Sequence, residues 1–551
     1  MNIPTNQYAV QLVGPGELRL NPEKPVSLPG PHQILAKTEA VGLCFSDMKL
    51  LKQFDQHVRK GSILSGIPAE ALGEMPNYVP GSKPTVPGHE VVCRIIEVGE
   101  EVRHYRPGER YIVQADYRPF KTAGSNGAFG YNFEGGLQEY ILFDERVIGD
   151  PNADEGFMIR VEDSRPASQV ALVEPWACVE NSYVTPERRS IKAGGKILVA
   201  CDLGRCAKGL AGSFTNGEGP AEVTVYAPKG QAKAIRDEAS SGRTALREAN
   251  NLDELPDEGF DDILYFGSNA DTLELLNDKL AKGGVMNVVL GGQSIGRKVS
   301  VGVGRIHYGG TRWIGTAGDD AGASYGMIPE TGEVRPDDRV LVVGAGGPMG
   351  QMHVIRDLAV SGQVVAADID DARLNALGQK VGPDEKFHAV RTEELEGEFG
   401  YIALMAPVPT LVEEAIERAQ PGGIVNVFAG IPAPVKHPLD LDTLIHKQVF
   451  VFGTSGSEPR DMRLVLQKVV EGSLDTNVSV GAVSGMAGAV DGLAAVENRT
   501  MDGKIIVYPQ LHAVPLVPLE KLADIYPTVA AKLDHGRWCQ EAEEEFLKVA
   551  E

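Results

Sequence analysis

The chain has 551 residues, too many for one hydrophobic core, so about three domains are expected. Its net charge of −23, with no basic stripe, argues against nucleic acid or an anionic membrane surface as partner. No apolar run of about 18 residues occurs, the opening MNIPTNQYAVQLVGPGELRL has no charged or apolar leader region, and six scattered cysteines form no disulfide framework, so a cytoplasmic protein is expected.

Residues 1–190 hold short alternating runs broken by Gly and Pro (YAVQLV, HQILAKTEAVG, HEVVCRIIEVGEEV, ERYIVQADY, LQEYILF), the pattern of a small β-rich domain with many turns. Within it stand VGLCFSD (41–47), PGHEVV (87–92) and LVEPWACVE (172–180). Taken singly, each has a plain structural reading: a small buried cysteine, a satisfied loop, a helix start. Together they supply one thiolate, one imidazole and two carboxylates, the donor types that zinc takes.

From GGKILVA (194–200) the pattern changes to buried strands alternating with helix-length segments, which implies a parallel sheet. That pattern runs twice. LAKGGVMNVVLGG (280–292) matches RAQPGGIVNVFAG (418–430), and IHYGGTRWIGTAG (306–318) matches IHKQVFVFGTSG (445–456), in the same order and at nearly the same separation. Upstream, GKILVACDLGRCAKG (195–209) pairs with DRVLVVGAGGPMGQM (338–352). Two tandem Rossmann-type doubly wound domains are therefore expected, at 191–330 and 331–475. After 475 the short runs return (GKIIVYPQL) and the chain ends in a helical, charged tail, so 476–551 is expected to complete the first domain.

The second copy carries the nucleotide signature. In VLVVGAGGPMG, Gly344, Gly346, Gly347 and Gly350 permit a tight turn that brings backbone N–H groups to a pyrophosphate at a helix N-terminus. The turn is one residue longer than the usual spacing. Either Met349, after Pro348, takes the third glycine's place, or Gly350 closes a wider turn. Asp368 ends the next strand, where a carboxylate accepts ribose hydroxyls and repels a 2′-phosphate, favouring NAD; nearby Arg373 pulls toward NADP. In the first copy, Cys201, Leu203 and Ala207 stand where the second has Gly344, Gly346 and Gly350, and Ala227 stands in place of Asp368. The first copy is thus expected to be degenerate, with one NAD bound per chain by the second.

The order of the three metal-type motifs, on a β-domain that precedes a Rossmann domain, resembles the zinc-dependent medium-chain dehydrogenases. The resemblance implies a GroES-like catalytic domain and one catalytic zinc held by Cys44, His89 and Glu174, with Glu90 either a fourth ligand or a group just outside the ligands. A Cys-His-Glu set resembles the polyol, sorbitol-type branch, and GGPMGQMHV resembles dehydrogenases of the L-sorbose-1-phosphate reductase type. By the same resemblance Ser46 hydrogen-bonds the substrate oxygen and Asp47 orients His89. Lys49 stands where the family often has a relay histidine, either as its replacement or as a surface lysine. The stretch that carries four cysteines for a structural zinc in many relatives is cysteine-free here (QADYRPFKTAGSNGAFGYNFEGG), so a single metal is expected.

These readings converge on an NAD-linked dehydrogenase acting on a secondary alcohol of a small-molecule polyol, sugar or sugar phosphate, in a homo-oligomer. Two alternatives stay open: an epimerase or lyase that oxidises transiently with retained NAD, and a metal-bearing binding protein without the reaction.

Overall fold

The computed structural model describes residues 3–550 except 215–217, 229–230, 232, 234, 236–237 and 239–243. Two compact units form: Met1–Glu180 with Gly456–Glu551, and Asn181–Ser455. Among the described residues no helix is long and apolar enough to cross a membrane.

The first unit is built on an eight-stranded sheet. Its centre is strand Gln33–Gly42, whose antiparallel neighbours are Glu90–Val98, Tyr140–Asp144 and, from the far end of the chain, Lys504–Val507. Ile34, Ala36, Val91, Ile95, Ile505 and Val507 pack one continuous apolar cluster with the aromatic residues Tyr105, Tyr111, Phe129 and Phe143. The chain re-enters this unit at Gly456, earlier than the 476 expected from the change in sequence pattern. The reason lies in side-chain contacts: Gln114 Nε2 donates to Ser457 Oγ at 3.0 Å, Arg118 Nη1 pairs with Glu458 at 2.7 Å, and Arg165 Nη2 donates to Val470 O at 2.7 Å. These tie helix Pro459–Glu471, whose sequence pattern alone suits either unit, to the first.

The second unit holds one twelve-stranded sheet. Its strands are apolar on both faces (KILVAC, FDDILYF, RVLVV, FGYIAL), as strands in a parallel sheet covered by helices must be. The first six, from Lys196–Cys201 to Arg312–Thr316, stand in the order third, second, first, fourth, fifth, sixth. The next six, from Arg339–Val343 to Phe450–Phe452, follow the same order read outward from the opposite edge, and the two sixth strands touch, antiparallel, at Trp313 and Val451. The same doubly wound strand order thus occurs in both halves of the sheet.

The halves differ after their first strand. Arg339–Val343 leads through a glycine turn into helix Pro348–Leu358. Lys196–Cys201 leads into a helix-free stretch and then the single turn Ala211–Ser213, where the sequence pattern suggested a helix. Arg205 folds back instead: its guanidinium donates to Leu290 O at 2.8 Å and Val289 O at 3.1 Å, capping the carboxyl end of the fifth strand.

Candidate functional site

The metal-type residues converge where strands of the first unit's sheet end. Glu90 opens its strand directly opposite Gly42, and Cys44 follows two residues on as the N-cap of helix Phe45–Gln53. Gly42 leaves room for this carboxylate: a Cβ there would sit 2.1 Å from Glu90 Oε2. The donor atoms of Cys44, His89 and Glu90 lie within 4.8 Å of one another. Glu174 stands outside that group, on helix Val173–Val184; its Oε1 accepts from the Cys178 thiol one turn along, at 3.8 Å. The sequence had placed Glu174 among the ligands and Glu90 at their margin. In the structure Glu90 is the inner carboxylate, since it starts the strand beside His89, whereas Glu174 is held by Cys178.

Asp47 organises the imidazole. Its Oδ2 accepts the Cys44 N–H at 3.3 Å and its Oδ1 lies 3.0 Å from His89 Nδ1, so the proton sits on Nδ1 and Nε2 faces Ser46 Oγ at 3.1 Å. Ser46 Oγ also donates to Cys44 Sγ at 3.2 Å. Burial disfavours the His89 cation, but the Asp47 carboxylate outweighs it and raises His89 well above the ordinary imidazole range. Burial also pushes the Glu174 carboxyl up to about 7, with Glu90 adding to the rise while His89 and Lys504 oppose it.

Two residues of this centre were not picked out from the sequence. Lys504 is buried and its Nζ donates to Glu90 Oε1 at 2.5 Å. The attraction of Glu90 overcomes the cost of burying the ammonium and lifts its pKa above the usual lysine range. Cys178 is the second; burial beside Glu174 holds its thiol protonated well above the usual range. The signal for Cys178 was the four-residue spacing from Glu174 on one helix. For Lys504 it was a lone lysine heading a buried apolar strand, KIIV.

The donor set fits a divalent cation. Glu90 Oε2 is buried without a hydrogen-bond partner in this cluster, and such an orphaned acceptor is costly unless something positive meets it. Thiolate, imidazole and carboxylate oxygen are zinc donors. Beyond the cluster, the Tyr131 ring lies 6.0 Å from His89 and 5.1 Å from His57, with the Arg59 guanidinium 5.6 Å from its centroid. Burial, with Arg59 and Lys49 nearby, lowers His57 to about 4 and keeps it neutral. Lys49 itself is exposed, one turn past Ser46 on the same helix.

In the second unit the glycine turn joins strand Arg339–Val343 to helix Pro348–Leu358. Gly347 caps helix Pro348–Leu358, with Pro348 at its first position and Met349 half-buried beside it. Gly350 takes the close approach between helix and strand, for a Cβ there would meet Gly344 O at 2.3 Å; this resolves the longer spacing in favour of a wider turn. Asp368 Oδ2 accepts the Gly346 N–H at 2.8 Å and Oδ1 accepts the Ile369 N–H at 2.8 Å. The Arg373 side chain passes over Gly346, its Cβ 2.5 Å from where a Cβ at 346 would stand.

Residues 30–150 match the alcohol dehydrogenase GroES-like domain family. Over 197 residues the chain is 29% identical to sorbitol dehydrogenase of Bos taurus, an alignment covering 35% of this chain and 47% of that one. Over 350 residues it is 24% identical to L-sorbose 1-phosphate reductase of Klebsiella pneumoniae, covering 58% of this chain and 78% of that one. In fold it is similar to 2R,3R-butanediol dehydrogenase from Bacillus subtilis, at a TM-score of 0.52 and 14% identity, covering 92% of this chain and 100% of that structure.

Proposed function

Because the chain belongs to the zinc-dependent medium-chain alcohol and polyol dehydrogenases, we propose that it interconverts a secondary alcohol of a polyol, sugar or sugar phosphate with the corresponding ketone, using NAD. The observation that carries this reading is the buried group of Cys44, His89 and Glu90, with Glu90 Oε2 left without a partner. The small hydroxylated substrates named for the sorbitol and L-sorbose 1-phosphate relatives support the substrate class.

Cys44, His89 and Glu90 would hold the zinc, with Glu174, a ligand by the family resemblance, as a further carboxylate able to reach it. When bound, zinc lowers the pKa of the substrate hydroxyl and NAD takes the hydride. Asp47 keeps the proton on His89 Nδ1, so that Nε2 presents its lone pair inward. Ser46 Oγ, beside His89 Nε2 and Cys44 Sγ, is placed to carry the hydroxyl proton away, and Lys49 one turn along the helix continues the path toward solvent. Lys504 offsets the charge of Glu90, so two carboxylates and a thiolate do not leave the site strongly negative. In the second unit, backbone N–H groups of 344–350 and the N-terminus of helix Pro348–Leu358 would hold the pyrophosphate, and Asp368 would accept the ribose hydroxyls and disfavour a 2′-phosphate.

Residues 191–330 and 331–455 are, on this reading, copies of one domain, of which only the second keeps the nucleotide site. A panel of polyols, sugars and their phosphates, read by NADH absorbance, tests the activity. Turnover of at least one substrate, lost in Cys44→Ala, is expected. No net NADH from any of them, with NAD firmly retained by the protein, would move the assignment to an internal-redox enzyme.

A further inference from the structure

The seam between the two halves of the twelve-stranded sheet has the form of a two-fold interface closed inside one chain. Aligned on their shared Gly-Thr ends, WIGT and VFGT, the sixth strands place Trp313 and Val451 at equivalent positions, and these two residues pair with each other. Beside them, strands Val299–Val301 and His437–Leu439 pair antiparallel with Ser300 opposite Pro438, the midpoints of equivalent elements. Contacts across the seam are reciprocal. A Cβ at Gly315 would meet the Ile445 side chain of the second half at 2.7 Å, and one at Gly453 would meet His307 Cα of the first half at 3.0 Å. Within its own half, the same added Cβ would meet the equivalent carbonyl, Val288 O at 2.6 Å from position 315 and Val427 O at 2.7 Å from position 453. A contact of i with j matched by one of j with i is the mark of an isologous interface.

This seam is apolar and buried: Trp313, Ile314, Val449, Phe450, Val451 and Phe452 all lie under cover, and one hydrophobic cluster runs through both halves. A sixth strand left open there would be an aggregation-prone edge. The sheet's two outer edges differ. Strands Ala245–Glu248 and Phe387–Arg391 are largely exposed and carry ion pairs, Arg247 with Glu222 and Arg391 with Glu393, which discourage further strand addition.

We infer that residues 191–330 serve as a tethered partner: within one chain they occupy the sixth-strand edge through which the nucleotide-binding half would otherwise join a second copy. The inference rests on reading the halves as copies. It replaces the homo-oligomer expected from the sequence with a monomer holding one nucleotide site per twelve-stranded sheet. The first half fits this role: Arg205 caps the carboxyl end of its fifth strand, while its sixth strand is kept whole.

Two measurements test it, neither depending on activity, so their failure is separate from failure of the dehydrogenase reading. Sedimentation equilibrium of the unmodified full chain over about 1–100 μM should return the monomer mass of 59.0 kDa with or without NAD; a stable dimer overturns the inference. In a Ser300→Cys, Pro438→Cys variant, a short thiol cross-linker followed by peptide mapping should join 300 to 438 within single chains. Covalent dimers linked through that pair would show that the halves pair between chains, and overturn it equally.

Discussion

Lys504 Nζ lies 2.5 Å from Glu90 Oε1, and both side chains are buried where three segments of the first unit meet. A buried pair of this kind is weak evidence of stabilisation, but removing one partner leaves an uncompensated charge. Lys504→Met should therefore destabilise the metal-free protein by about 3–5 kcal/mol. Adding Glu90→Gln should recover most of the loss. Because the released carboxylate is free to meet a cation, zinc should stabilise Lys504→Met more than it stabilises the unmodified protein. Thermal melts of the three proteins with and without zinc check this, and an equal zinc effect in Lys504→Met and the unmodified protein would remove Lys504 from the centre.

The metal prediction follows from the same cluster. Purified protein should carry about one zinc per chain, and Cys44→Ala or Glu174→Ala should abolish turnover while leaving the circular dichroism spectrum intact. A catalytic site contributes less to folding than a closed structural one. Metal analysis finding two firmly held zincs would contradict the reading of the cysteine-free lobe.

What was legible in the sequence was whatever depends on neighbours in the chain. VGLCFSD and PGHEVV give Cys44, Asp47, His89 and Glu90 because each is a turn at a strand end, and the same residues meet in space. The glycine turn at 344–350 reads as strand, cradle and helix for the same reason. Lys504 lies on a strand 414 positions from Glu90, and no local pattern ties the two; only the register of that strand against Gln33–Gly42 does. The order of Glu90 and Glu174 around the centre was likewise decided by tertiary partners, Lys504 for one and Cys178 for the other. The seam at Trp313 and Val451 was implicit in the repeat, but a repeat does not say which edges join.

Glu174 gives the pH dependence. Its carboxyl titrates near 4.5 when unfolded and is pushed up to about 7 by burial in the fold. A raised folded pKa means stability that is fully present below the unfolded value and lost as pH rises through the folded one. Glu174 should thus cost the metal-free protein up to about 3 kcal/mol between roughly pH 4.5 and 7. Subtracting the stability curve of Glu174→Gln from that of the unmodified chain isolates the effect; a flat difference over that window would refute it. Zinc needs the ionised carboxylate, so zinc affinity should rise across the same window.

Lys49 lies exposed, one turn past Ser46 on helix Phe45–Gln53. If it relays the proton, Lys49→Ala should slow alcohol oxidation most at low pH, by roughly 10²–10⁴-fold, the usual range for lost general-base help. Small amine buffers should restore part of the rate. An unchanged pH profile would return Lys49 to the surface.

The two halves of the sheet should differ completely in nucleotide binding. In the second, backbone N–H groups of the glycine turn, a capped helix N-terminus and Asp368 stand together. In the first, the described residues between the first and second strands form only the single turn Ala211–Ser213, and Arg205 donates to Val289 O and Leu290 O at the carboxyl end of the fifth strand. Titration calorimetry with NAD⁺ should saturate near one equivalent per chain. Asp368→Ala should weaken binding at least tenfold, about 1.4 kcal/mol, because the ribose hydroxyls lose a charged acceptor. Arg205→Ala should leave the stoichiometry at one, since clearing the guanidinium supplies neither a helix N-terminus nor a carboxylate at Ala227. Two equivalents in the unmodified chain, or binding indifferent to Asp368→Ala, would reverse the assignment of the halves.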